Sequence, residues 1–353
     1  MKRFFYFAAI AASFTLTSCS DDDNGPVIDP VEPSEGVFIV NSGNFGSGNS
    51  SLSYLSTATN SVSNSLFRTA NGMSLGDVAQ SMTMANGLGW VVVNNSGVIF
   101  AIDPDTYKEK GRIDKGLTSP RNIYFINSTK AYVTQLYDNR IAIVDPAACS
   151  VTGYITVPGM EAATGSTENI VLKDGYAYCT CWSYNKTVIK IDTATNAIVG
   201  SVEVGVQPKD IVLDANGDLR VLTDGGWNGN PIGYEAPSIV TINPADMKVK
   251  KTMTMELGDY VSNLMAADNG KELYWVNANK VMKMNYDANA LPTDPYVMGM
   301  AYLNALTIDP ANGDLLVADA IDYVQQGAVY RYHNGELTDT YTVGVIPNAF
   351  CWK

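Results

Sequence analysis

Few residues in this chain have the type and spacing for bond-making chemistry. The sequence holds one histidine, His333, in the stretch YRYHNGEL. A histidine-based triad, a metal held by several imidazoles and a proximal haem ligand on the opposite side of the molecule are therefore excluded by count. His333 itself reads as a solvated turn residue. Cys179 and Cys181 form a C-x-C on one extended run, pointing to the same side and too stretched to bridge each other easily. Cys149 or Cys351 offers them a partner in an oxidising compartment, although buried free thiols are the favoured reading. Neighbouring carboxylates at Asp21 to Asp23 sit in an acidic, Pro- and Gly-containing segment, and nothing has the spacing of a calcium loop or a phosphate cradle. The expectation is a protein that binds rather than transforms: not an enzyme, with no catalytic cofactor and no metal.

Binding chemistry is better represented. A polar residue recurs near the start of successive apolar runs, at Gln80, Asn122, Asn169, Asp210, Asn263 and Asn304, with Ala349 breaking the set. Arg121 and Lys209 stand one position before two of them. Such side chains either satisfy their own turns or form a collar of donors and acceptors for a large polar ligand. Large aromatics cluster in the longer loops: Phe45, Tyr137, Trp182, Tyr184, Trp227, Tyr234, Tyr260, Tyr302 and Tyr323.

The elements that must position these residues are strands. Runs of five or six residues rich in Val, Ile, Tyr and Thr are bounded by Asn-Gly, Asp-Gly or Asp-Pro, and no segment sustains helical periodicity over three turns. The chain is all-β. Aligning the turns gives a repeat of roughly 40 to 50 residues with four strands each, the period of a β-propeller blade. Six inner strands begin near Val78, Arg121, Glu168, Lys209, Val261 and Leu303. A first blade from Val37 shows only VFIVN, SLSYL and SVSNSLF, and lacks an inner strand. The C-terminal PNAFCWK follows Val343-Gly344-Val345 as Pro208-Lys209-Asp210-Ile211 follows Val204-Gly205-Val206, so residues 347–353 supply it. Seven blades then close the ring and remove its open edges.

In such a meander the turns after the first and third strands share one face, and those turns are terse, as at Asn86-Gly87, Asp174-Gly175, Asp103-Pro104 and Asn334-Gly335. The other face carries NSGNFGSGNS, QLYDNR, WSYNK, DGGWNGNPIGYEAP and ADAIDYVQQG, and with them the aromatics. A rigid scaffold that confines long aromatic loops to one face presents a binding surface.

The whole chain of 353 residues is 46% hydrophobic and 17% charged, ample for a large core, with a formal net charge of −13. That charge, with no Lys/Arg cluster outside the extreme N-terminus, argues against nucleic acid as a partner. The N-terminus, MKRFFYFAAIAASFTLTSC, has a basic start, an apolar run too short to span a bilayer comfortably and small residues before Cys19. Its end resembles a bacterial lipobox, which implies a lipoprotein signal peptide over 1–18 and acylation at Cys19, the only membrane attachment expected. Residues 19–36 read as an acidic flexible tether and 37–353 as the propeller.

The stretches YVTQLYDNRIAIVDPAACSVTGYITV and NKTVIKIDTATNAIVGSVEVGVQPKDI are similar to the repeat of YVTN-type propellers. With the lipobox and the acidic tether, the chain resembles the BtuG group of Bacteroides surface lipoproteins. The resemblance implies capture of a corrinoid, cobalamin (vitamin B12), outside the outer membrane and delivery to a BtuB-like TonB-dependent transporter. The alternative is a surface propeller that docks another protein or a glycan. No ligand-contacting residue is carried over from that group; those named come from topology alone.

Overall fold

The structure, a computed structural model, describes residues 35–267 and 269–353. The expected signal peptide, Cys19 and the tether as far as residue 34 lie outside the described residues.

Seven four-stranded antiparallel sheets form the blades of a β-propeller. Their inner strands, from blade 1 to blade 7, are Pro347–Trp352, Ala79–Ala85, Pro120–Asn127, Thr167–Lys173, Pro208–Leu213, Val261–Ala267 and Leu303–Ile308. Each touches the next around the ring. Blade 1 is built from both ends of the described chain: Pro347–Trp352 pairs antiparallel with Gly36–Asn41, which pairs on its other side with Ser51–Ser56. The expected closure is present.

The turn dipeptides do what their composition requires. At Asn86-Gly87, Asp174-Gly175 and Asn334-Gly335 both residues have positive φ, the two-residue turn whose twist matches the flanking strands. Packing follows the same repeat. Seven clusters of buried apolar residues lie one at each junction between neighbouring blades, such as Trp90, Ile99, Ile123 and Val133 between blades 2 and 3. A blade on its own would leave both apolar faces wet, so stability resides in the closed set. Second strands such as Leu88–Val93 are apolar almost throughout because both faces are covered, whereas the outer strand Ala197–Glu203 alternates with water.

One expected strand is only half a strand. Of SVSNSLF, Ser61–Ser63 pairs in the sheet, and the chain then turns into a short helix, Leu66–Asn71. Leu66 and Phe67 are drawn under the blade 1 and blade 2 junction, where the Phe67 ring meets that of Phe100 at 4.9 Å. Burying those side chains outweighs continuing the ladder.

Candidate functional site

All seven inner strands carry an irregularity at the same level, near their first residues. Pairing with the second strand skips Gln80, Arg121-Asn122, Glu168-Asn169, Lys209, Asn263-Leu264, Asn304 and Asn348. A bulge removes a residue from the ladder and leaves its backbone polar groups in need of partners. At six of the seven junctions the preceding blade supplies one. Asn348 Nδ2 donates to the Gln80 carbonyl, Ser81 Oγ to that of Arg121, Asn122 Nδ2 to that of Glu168, Asn169 Nδ2 to that of Lys209 and Asn263 Nδ2 to that of Asn304. Between blades 5 and 6 the direction reverses, and the Asp210 carboxylate accepts from the Leu264 N–H at 3.2 Å. Of the recurring polar side chains, Asn122, Asn169, Asp210 and Asn263 thus stitch blade to blade, whereas Gln80 accepts from Arg121 and Asn304 from Tyr323.

Asn169 is the most heavily committed of them. Its Nδ2 also donates to Asp210 Oδ1 at 2.8 Å, and its Oδ1 accepts from the Tyr124 hydroxyl at 2.8 Å. Asn169→Ala is expected to lower stability by about 1–2 kcal/mol, because the Tyr124 hydroxyl and one Asp210 oxygen lose their partners in the interior. A thermal melt superimposable on the wild type would show the stitch to be dispensable.

The residues skipped by the pairing, and their neighbours, line the channel. Gln80, Arg121, Glu168, Lys209, Ser262, Asn304 and Asn348 line the mouth of a cavity of about 900 Å³, and Tyr124, Val212, Met265, Leu306 and Phe350 line it deeper down. Asn348 completes the polar ring that Ala349 was expected to interrupt. The bulge brings two adjacent residues to the cavity wall, and strand alternation alone does not reveal it.

Charges at the mouth are mostly committed. Arg121 pairs with Glu168 (Nε to Oε2, 3.0 Å) and also donates from Nη1 to Gln80 Oε1 at 2.8 Å, while Glu168 Oε1 accepts from Ser166 Oγ. Asp210 is buried, and burial raises its pKa above the usual carboxylate range against the opposing effect of Lys209. Asp224 is raised by burial as well, opposed first by the hydrogen bond from Trp182 Nε1 at 2.7 Å.

The expected rim aromatics separate into groups. Tyr260, Tyr302 and Tyr323 line the cavity and remain 73%, 48% and 40% exposed. The Tyr302 and Tyr323 rings lie 4.9 Å apart. Burial raises the Tyr323 pKa, and the neighbouring Tyr260 and Tyr302 raise it further. Trp182, Tyr184 and Trp227 gather over blades 4 and 5 instead, where the Tyr184 and Trp227 rings meet edge to face at 5.5 Å and Trp182 lies beside Lys209. Gly225 makes that loop possible: at φ +77° its Cα runs so close to the Glu235 carbonyl that a Cβ would sit 2.1 Å from it. Phe45, Tyr137 and Tyr234 are exposed on the same face and lie outside the cavity. Of the expected site residues, Gln80, Arg121, Asn122, Asn169, Lys209 and Asp210 line the cavity with the three tyrosines. Sequence reasoning missed Glu168, Asn348 and Asn279, which also line it. The first two could have been found by aligning the inner strands on the residue before Asn122, Asn169, Asp210 and Ala349.

His333 sits at the third-to-fourth strand turn of blade 7, on the terse face as expected, but it is not merely solvated: its Nδ1 lies 2.7 Å from Asp314 Oδ1. Cys149, Cys179, Cys181 and Cys351 are free thiols, and burial pushes Cys181 and Cys351 up to about 12. Among the described residues no group of three or more His, Cys, Asp or Glu side chains is placed to hold a metal ion.

A family model described as Domain of unknown function (DUF5074) matches residues 35–344. No curated protein matches the chain. Among solved structures, a Bacteroides fragilis protein provisionally described as a 6-phosphogluconolactonase is similar over 92% of this chain and 100% of its own, at 14% identity and a TM-score of 0.68. A Bacteroides uniformis protein with the same provisional description covers 91% and 100%, at 13% identity and 0.66. Hydrazine synthase of Kuenenia stuttgartiensis covers 77% of this chain and 89% of its own, at 14% identity and 0.63. At these identities the likeness is one of fold.

Proposed function

The chain belongs to the DUF5074 family, and we propose that it is a receptor for a large polar small molecule, most specifically a corrinoid such as cobalamin. It binds this ligand without turnover at the channel mouth and passes it to a TonB-dependent outer-membrane transporter. The observation that carries this reading is the cavity of about 900 Å³ whose mouth combines side-chain amides with exposed tyrosines. A corrin presents a broad, largely apolar macrocycle fringed with carboxamides. Tyr260, Tyr302 and Tyr323 offer it faces, and Gln80, Asn304 and Asn348 offer amide donors and acceptors. A concave site lined by apolar and aromatic side chains with a few convergent polar groups is the usual form of a small-molecule site. Acylation at Cys19 would hold the receptor at the outer membrane, facing outward.

Calorimetric titration with cyanocobalamin tests this. Binding at or below micromolar concentration is expected, with little change in the visible spectrum, since His333 lies on the far face and leaves the cobalt its own lower base. No heat and no co-elution would overturn the corrinoid reading. A second reading, docking of another protein or a glycan on this face, is favoured by Phe45, Tyr137, Leu257 and Val324, which stand 57–80% exposed outside the cavity.

A further inference from the structure

Of the charged side chains lining the cavity, three are already held. Arg121 and Glu168 hold each other, and Asp210 accepts from Asn169 and from the Leu264 backbone. Lys209 is different. It stands on the bulge of blade 5, half-buried, and its ammonium makes no hydrogen bond or ion pair with any described residue. Its nearest aromatic neighbour is the Trp182 ring, whose centroid is 5.7 Å from Nζ. Asp224, the other carboxylate close by, is hydrogen-bonded elsewhere, with Oδ2 accepting from Trp182 Nε1 and Oδ1 from the Gly226 N–H. An ammonium has three donors and no acceptor, and one kept from protein partners at a cavity mouth supplies a charge-assisted contact to whatever enters.

We infer that Lys209 is the anion subsite of this cavity, taking an oxyanion of the bound ligand on its ammonium. The inference rests on the receptor reading above and narrows it: the ligand carries a phosphate, phosphodiester or carboxylate, and that group lies toward blades 4 and 5, two blades along the ring from the Tyr302 and Tyr323 pair. For a corrinoid, the group is the phosphodiester of the nucleotide loop.

The test compares cyanocobalamin with dicyanocobinamide, which lacks that phosphodiester, on wild type, Lys209→Gln and Lys209→Arg. Because the Lys209 side chain makes no hydrogen bond, neither substitution should shift the melting curve. Wild type is expected to bind cyanocobalamin about tenfold more tightly than dicyanocobinamide. K209Q should bring the two to within about twofold, and K209R should restore most of the difference. Equal weakening of both corrinoids by K209Q, or no weakening of either, overturns the subsite. If neither corrinoid binds wild type, the receptor reading for corrinoids falls, and inorganic phosphate becomes the probe. Tryptophan fluorescence should then respond to phosphate in wild type and not in K209Q, and a wild type indifferent to phosphate overturns the subsite as well.

Discussion

A chain ending before Pro347 is expected to lose its cooperative unfolding transition altogether, rather than melt a few degrees lower. Trimming terminal residues is usually harmless because they are frayed and few contacts cross to them. Here the last strand is an inner one. Residues Val37, Phe38, Ile39 and Val40, all fully buried, face the pairing partners Trp352, Cys351, Phe350 and Ala349. The same strand binds both neighbouring blades, through Asn348 to the Gln80 carbonyl on one side and Trp352 Nε1 to Thr307 Oγ1 at 2.9 Å on the other. Removing it opens the ring between blades 7 and 2, exposes an unpaired edge and uncovers apolar area at two junctions, well beyond the roughly 0.5–3 kcal/mol of an ordinary substitution. Circular dichroism with thermal ramping reads the result directly. A truncated protein that melts sharply near the wild-type temperature would show that the ring does not depend on its closing strand.

Replacing Tyr302 by Ala is expected to weaken ligand binding by about 2 kcal/mol, a factor of about 30, and mainly by faster release. Tyr302 lines the cavity, packs on Tyr323 and keeps nearly half its surface open, which is the condition of an anchor awaiting a ligand. Its backbone N–H is fixed by Asp319 Oδ1 at 2.8 Å, so the ring is presented on a braced loop and less ordering entropy is lost on binding. Trp227, although an equally prominent aromatic in the sequence, lies outside the cavity with its ring against Tyr184, and Trp227→Ala should change affinity less than threefold. Surface plasmon resonance on both variants separates the dissociation rates. If Trp227→Ala accelerates release while Tyr302→Ala does not, the binding surface lies over blades 4 and 5 rather than at the channel mouth.

The fold was legible in the sequence because its determinants are local and repeat. Asn-Gly and Asp-Gly turns fix two-residue hairpins, and the likeness of PNAFCWK to the start of the blade 5 inner strand disclosed the closure. The site was legible to the level of a face and a strand end, and no finer. That Asn348 lines the cavity beside Ala349 depends on a bulge, and the signal for a bulge is spread over two strands distant in sequence. Which aromatics reach the mouth was hidden for a related reason. Trp182 is drawn toward Asp224 and Tyr323 toward Tyr302 by contacts between loops of different blades, which strand spacing does not encode. The helix Leu66–Asn71 escaped because six residues are too few for a periodicity to register.

The way blade 1 is assembled also decides how the molecule would bear a mechanical load. The chain enters the propeller at Glu35 and Gly36, on the terse face and opposite the cavity mouth, and runs at once into a strand flanked by ladders on both sides, Ser51–Ser56 and Pro347–Trp352. Traction applied through Glu35 acts along that strand, so both ladders are sheared together and their hydrogen bonds share the force instead of parting one at a time. Lys353 reinforces the point of entry, with its N–H on the Gly36 carbonyl and its ammonium on Glu35 and Asp105. A pull at that point of entry is therefore met by both ladders of blade 1 at once, on the face opposite the mouth.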